Sequence, residues 1–275
     1  MSEPLVGRSS AAPEAHDEAW AILRLPGRIA TFCAIELRRV VHDPWEIVTR
    51  IIQPILWLLL YGETFNRLGI IQNTGGLPYL SYLAPGIIAQ SAVFVAIFYG
   101  IMLVWERDAG LLAKMLATPT PRSAIVAGKA FAAALRGLVQ ATVILVLAAA
   151  LGVGIIWDPL TVLAAAGFVL LGASFFACLS MVLAGLVRQR ERMMGIGQAI
   201  SLPLFFASNA LYPASDMPAP LQYVSEGNPM SYQVDALRGL LVGTPCHLLL
   251  DLAVLLVSLA IMVGLASALL MRLVR

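Results

Sequence analysis

Six apolar runs, separated by short polar or basic stretches, organise this chain. They cover about residues 47–61, 79–104, 131–156, 160–187, 194–211 and 247–271, the first extending as far as Leu68. Each reaches, or with modest extension reaches, the ~20 residues needed to cross a bilayer core. Proline interrupts three of them, at Pro54, Pro85 and Pro203, and marks sites where a helix can bend. The pattern predicts an all-α membrane protein with six transmembrane helices.

Three stretches fall outside the spans and still carry helical patterning. Residues 28–42 place Ile29, Phe32, Cys33, Leu37 and Val40 on one face, with Arg28, Arg38, Arg39 and His42 largely elsewhere. That is an interfacial amphipathic helix, too polar to span. Asp43-Pro44-Trp45-Glu46 follows it with the residues of a capped helix start, and Trp45 suits the headgroup belt. The stretch Trp105 to Lys129 lies between the second and third runs and carries Arg107, Lys114, Arg122 and Lys129. A short helix fits residues 108–116, with Leu111, Leu112, Met115 and Leu116 on one side. Thr118-Pro119-Thr120-Pro121 then stops it. Its charges suit either topology control alone or docking of a soluble partner.

Residues 213–246 are too polar to span and too apolar for a free loop. Two short helices fit there, over 218–224 and 228–242, as a re-entrant or interfacial hairpin on the outer side. Asp235 and Arg238 are three apart, so they can pair on a helix, as a structural ion pair or as part of an outer gate.

Charge sets the orientation. Of 18 Lys and Arg residues, six lie within the first 50 residues, five between the second and third runs or, as Arg136, just inside the third, three between the fourth and fifth, and two at the C-terminus. Only Arg67 and Arg238 remain for the other side. The positive-inside rule therefore predicts both termini in the cytoplasm. Composition agrees with a membrane protein: 60% of residues are hydrophobic and 12% charged, against roughly 25% charged in soluble domains. Residues 1–27 read as a disordered cytoplasmic tail without an apolar signal-peptide core.

Candidate chemistry is sparse. Cys33, Cys178 and Cys246 form no paired framework, and His16, His42 and His247 lack ligand spacing, so no metal site is expected. No phosphate-binding loop exists. The Gly128-Lys129 pair has Ser123 where the first glycine would stand. No catalytic cluster suggests an enzyme, and no cofactor is expected on this chain. The spans lack a mid-membrane acid or base, which disfavours a proton relay. Their polar groups are uncharged: Gln53, Gln90, Ser91, Gln198, Ser201 and Asn209. Each could face a transported molecule or hydrogen-bond a neighbouring helix.

From about Leu37 to its end the chain resembles the permease subunit of type-2 ABC exporters, of the daunorubicin-resistance and nodulation-export kind. The inner loop carries the resemblance most specifically: Glu106-Arg107, Gly110, Leu112, Leu116, Thr118-Pro119, Arg122 and Gly128-Lys129 follow the family's run. Gln53-Pro54, Tyr82-Leu83-Ala84-Pro85-Gly86, Leu202-Pro203-Leu204-Phe205-Phe206, Tyr212-Pro213 and the segment from Asn228 to Arg238 add to it. Asn209-Ala210-Leu211 departs from it, since the family often has a Ser-Gly pair there. The resemblance divides the chain into the tail at 1–27, the amphipathic helix at 28–43 and a six-span permease domain at 44–275. It implies a half-transporter in a bacterial cell membrane, paired with a second permease, identical or not, and with two copies of a separate ATP-binding subunit that holds ATP and Mg. It implies coupling to that ATPase through Glu106, Arg107, Gly110, Leu112 and Lys114. It makes Asn228, Pro229, Tyr232, Asp235 and Arg238 an outer re-entrant element. It points to a path lined mainly by the first, second and fifth spans. The substrate expected is a hydrophobic or amphipathic drug, lipid or glycolipid. An ion-driven carrier and a membrane subunit without transport are the alternatives.

Overall fold

The computed structural model describes residues 52–65, 74, 76–117, 122–187 and 190–274. They fall within one compact unit, Pro44–Arg275. The tail, the amphipathic helix at 28–43 and the Thr118–Pro121 break lie outside the described residues. Every described element is helical. We number them α1 (52–65), α2 (Tyr79–Asp108), α3 (Leu111–Leu116), α4 (Arg122–Ala150), α5 (Pro159–Val187), α6 (Arg190–Phe206), α7 (Ala219–Glu226), α8 (Pro229–Val242) and α9 (Leu248–Val274).

Four of these helices are long and apolar enough to cross a membrane: α2, α4, α5 and α9 over Leu248–Leu270. Two more, Ile52–Gly62 in α1 and Gly195–Phe206 in α6, are apolar but shorter. They stand where the sequence places the first and fifth spans.

Helix α2 is the axis of the bundle. It packs on α4, α5, α6 and α8, and α5 in turn packs on α4, α8 and α9. Lipid tails are as apolar as leucine, so such helices associate through close packing rather than through exclusion of water. The sequence supplies small residues where the backbones meet. Ala89, Ala92 and Ala96 of α2, Ala133, Ala134 and Ala141 of α4, and Ala173 and Ala177 of α5 are all buried. At Gly100 of α2 the approach is closest: its N–H donates to Ser180 Oγ of α5 at 3.1 Å, and the Ser180 hydroxyl donates to the Ile97 carbonyl. A Cβ at Gly100 would lie 2.0 Å from that hydroxyl.

The helix ends differ from the apolar runs for local reasons. Helix α2 continues past the apolar run through Trp105–Asp108, and the turn comes at Ala109–Gly110. Gly110 has φ of 72°, a left-handed conformation that suits glycine. The short helix therefore starts at Leu111, three residues later than the pattern suggested. Helix α4 begins at Arg122, because its basic first turns are helical too, and ends at Ala150. The run from Val153 to Ile156 leaves the helix, and the Ile156 N–H donates to the Leu241 carbonyl of α8 at 2.8 Å. Asp158 then caps α5, accepting from the Thr161 N–H at 3.0 Å and hydroxyl at 2.7 Å. Those bonds hold its carboxyl below the usual range.

Helix α6 stops at Phe206 rather than reaching Leu211, three residues beyond Pro203. The turn that follows is fixed from outside. Tyr79 Oη donates to the Leu211 carbonyl at 2.9 Å, and Tyr82 Oη donates to the Asn209 carbonyl at 3.1 Å. Gly86 of α2 lets this turn approach, since a Cβ there would lie 2.6 Å from the Ala210 carbonyl oxygen.

Candidate functional site

A cavity of about 370 Å³ opens between α1, α2, α4 and α6. Four glutamines reach it, one from each helix: Gln53, Gln90, Gln140 and Gln198. Ser91, Phe94 and Phe98 of α2, with Pro54 and Leu202, complete most of its wall. Gln90 is the twelfth of the 30 residues of α2, and Gln140 the nineteenth of the 29 of α4. Both therefore lie in the middle of long apolar helices. Among the described residues no ionisable side chain lines the cavity.

The polar atoms here are poorly satisfied. Gln90 is 4% exposed and Gln140 8%, and the Nε2 of each lacks a hydrogen-bond partner among the described residues. A buried amide donor without a partner costs about 1–3 kcal/mol. Both donors thus have capacity left for a guest. Ser91 satisfies itself on the Ile88 carbonyl at 2.8 Å.

The structure gathers four of the six sequence-derived path residues, Gln53, Gln90, Ser91 and Gln198, and leaves out the other two. Ser201 is buried and donates to the Gly197 carbonyl of its own helix. Asn209 lies in the turn after α6, where its carbonyl accepts from Tyr82 and Arg238. Neither lines the cavity. Gln140 is the member that the sequence reading missed. Its signal was the same as the others: a lone amide in an apolar run, GLVQATVIL.

The second site lies at one end of α2. Glu106 of α2 forms an ion pair with Lys129 of α4, both largely buried. Arg107 pairs with its neighbour Asp108 at 2.7 Å. The left-handed Gly110 makes the corner, and α3 leaves it. Leu112 is fully buried and anchors α3 to the bundle, so it offers no surface to a partner. Leu111 and Met115 are exposed, and Lys114 is exposed beside them. The exposed side of α3 is therefore Leu111, Lys114 and Met115, next to the corner at Gly110 and the Glu106–Lys129 pair.

The third site lies at the opposite end of α2. Asn228 caps α8 by accepting from the Met230 N–H at 3.0 Å, and its Nδ2 donates to the Leu204 carbonyl of α6 at 2.7 Å. Pro229 occupies the first helical position, where its missing N–H is harmless. Tyr232 Oη donates to the Glu226 carbonyl of α7 at 2.7 Å. The expected Asp235–Arg238 ion pair is absent. Arg238, 5% exposed, turns instead to α2 and the turn after α6. Its Nε donates to the Tyr82 carbonyl at 3.3 Å and its Nη2 to the Asn209 carbonyl at 2.7 Å. Burial pushes the Asp235 carboxyl above the usual range, against the opposing pull of Arg238 and His247. Among the described residues no group of His, Cys, Asp and Glu could hold a metal.

Known proteins place the chain. The family model described as ABC-2 type transporter matches residues 28–242. The chain is 29% identical to the ycf38 transport permease of Cyanophora paradoxa over 213 residues, covering 74% of this chain and 69% of that protein. It is 27% identical to nodulation protein J of Rhizobium leguminosarum bv. trifolii over 233 residues, 82% of this chain and 86% of that one. It is also 27% identical to the daunorubicin resistance ABC transporter permease protein DrrB1 of Streptomyces coeruleorubidus over 210 residues, 74% and 71% of the two chains. The chain, a helical bundle with four membrane-length helices among its described residues and matched over most of its length by these permeases, belongs to the ABC-2 type transporter family of membrane permease subunits.

Proposed function

We infer that this chain is the membrane half of an ATP-driven exporter in a bacterial cell membrane. A separate ATP-binding subunit, in two copies, supplies ATP and Mg, and a second permease completes the path. Six crossings are the natural reading, with α1 and α6 as the first and fifth spans beside the four longer ones. The termini and the α2–α3 corner face the cytoplasm, and α7 and α8 form a hairpin on the outer side.

The observation that carries this reading is the course of α2. A 30-residue helix is about 45 Å long. It bears Glu106 and Arg107 at the inner end, Gln90 and Ser91 at the cavity, and Tyr79 and Tyr82 at the outer end. ATP-driven closure of the partner subunits would push on Leu111, Lys114 and Met115. The corner at Gly110, stiffened by Glu106 and Lys129, would pass that push to α2. A rigid α2 then moves the cavity wall and the Arg238 contacts together, and a packed interface with two arrangements converts the push into a switch. The cargo is an amphipathic drug, lipid or glycolipid that crosses by way of the glutamine cavity.

The test replaces Gln198, exposed in the cavity wall, with cysteine. Full transporter carrying Gln198→Cys is reconstituted with its ATPase and treated with a bulky methanethiosulfonate. Export of the native cargo should stop, while the same reagent leaves the unsubstituted protein active. Continued export with the thiol fully modified contradicts the path.

A further inference from the structure

We propose that the glutamine cavity selects an uncharged guest by a hydrogen-bond acceptor oxygen, which takes the free amide protons of Gln90 and Gln140. This rests on the cavity being the cargo's path. Two observations carry it. The first is the pair of orphaned donors. Gln90 Nε2 and Gln140 Nε2 are buried without partners among the described residues, on two different helices that line one cavity. Both are more than nine-tenths buried, so bulk water does not serve them as it serves a surface amide. A carbonyl, phosphoryl or ether oxygen accepts without offering a proton of its own, and it fits such donors directly.

The second observation is the missing charge. Among the described residues no acid or base lines the cavity. A cation or anion placed mid-bilayer would lose its hydration with no countercharge to replace it, a cost that amides alone do not offset. Gln53 and Gln198 add two further amides near the rim, both exposed. Phe94 and Phe98 give an apolar aromatic wall beside them. The guest thus combines an apolar or aromatic body with neutral oxygen acceptors. The cavity volume of about 370 Å³ lies within the range of small-molecule sites. Gln140 becomes a specificity residue on α4, a helix outside the three spans that the family likeness singles out for the path.

A matched set of probes tests this. Triphenylphosphine oxide is neutral and carries one strong acceptor oxygen. Tetraphenylphosphonium and tetraphenylborate have similar bodies with a positive or negative charge and no acceptor. Binding of each is measured by equilibrium dialysis to the full chain in lipid nanodiscs, against protein-free nanodiscs of the same lipid. The oxide should bind saturably and about tenfold more tightly than either ion, the scale of one well-made buried hydrogen bond. Gln90→Met and Gln140→Met keep the length of the side chain and remove the donor. Each should weaken the oxide by about tenfold and leave the ions unchanged. Gln140→Asn, which keeps an amide on a shorter stem, should retain part of the affinity and shows that loss in the methionine variant is loss of the donor.

An oxide that fails to saturate, that binds no better than the phosphonium, or that ignores both methionine substitutions overturns the proposal. Failure of the path is a separate result. A protein whose export stops on thiol modification at Gln198→Cys but which binds oxide and phosphonium alike loses only the guest chemistry. One that favours the oxide as expected yet exports after modification loses only the path.

Discussion

The guanidinium of Arg238 lies over the ring of Tyr82, its carbon 3.7 Å from the centroid, while its nitrogens bond the carbonyls of Tyr82 and Asn209. One side chain thus ties α8, α2 and the turn after α6. A desolvated cation over an aromatic face contributes about 2 kcal/mol, and hydrogen bonds from a charged donor about 1.5–3 kcal/mol each. Arg238→Ala should therefore lower the thermal unfolding midpoint of the purified protein clearly, by about 2–4 kcal/mol of stability. Arg238→Lys should recover less than half, because an ammonium cannot stack and fork at once. Alanine at wild-type stability would show that the contacts contribute nothing net.

Small residues at the α2–α5 contact make a second prediction. Gly100→Ala places a methyl 2.0 Å from Ser180 Oγ and 2.5 Å from the Ser180 carbonyl oxygen, so the helices must separate. Overpacking of this kind costs about 1–3 kcal/mol. Gly128→Ala is the control, since nothing lies within 4 Å of a Cβ there. The better helix propensity of alanine should leave that variant as stable as wild type or about 0.5–1 kcal/mol more so. Differential scanning fluorimetry of the two variants side by side reads the contrast. Equal midpoints would remove the close-packing argument.

How much of this was visible in the chain itself depends on the range of the interaction. The long apolar runs are local signals, and the helices follow them, although α4 starts nine residues before its run, α6 stops five residues short of the end of its run, and the left-handed turn at Gly110 falls inside the expected short helix. A lone amide in an apolar run marks a polar group in a span, which is why Gln53, Gln90 and Gln198 were legible and Gln140 could have been. Ser201 gives the same signal, yet it is satisfied by Gly197 one turn back, a choice fixed by rotamer rather than by residue type. Arg238 was the plainest failure. Three-residue spacing made Asp235 its expected partner, but the carbonyls of Tyr82 and Asn209 lie 156 and 29 residues away in sequence. Leu112, which the family likeness sets among the coupling residues, is buried against its own bundle, and a helix face looks the same from sequence whether it meets a partner or its own bundle.

The coupling corner makes a third prediction. Replacing Glu106 and Arg107 by alanine should leave the protein in the membrane, since the packing of α2 on α4, α5, α6 and α8 holds the bundle. Transport-coupled ATP hydrolysis by the complex should fall several-fold. Unchanged coupling would take the docking role away from this corner.

Topology is testable by thiol labelling in intact cells. A cysteine at Gly154, in the exposed connection after α4, should react with a membrane-impermeant maleimide added outside. A cysteine at Ser123, exposed in the first turn of α4, should react only after permeabilisation. The reverse pattern would overturn the orientation set by the basic residues.

The most direct test of the account is purification of this chain from native membranes in mild detergent, with its companions identified and counted by mass spectrometry. The account predicts a P-loop ATPase in one-to-one ratio with total permease. Purification without an ATPase, under conditions that keep other ABC complexes whole, would contradict it.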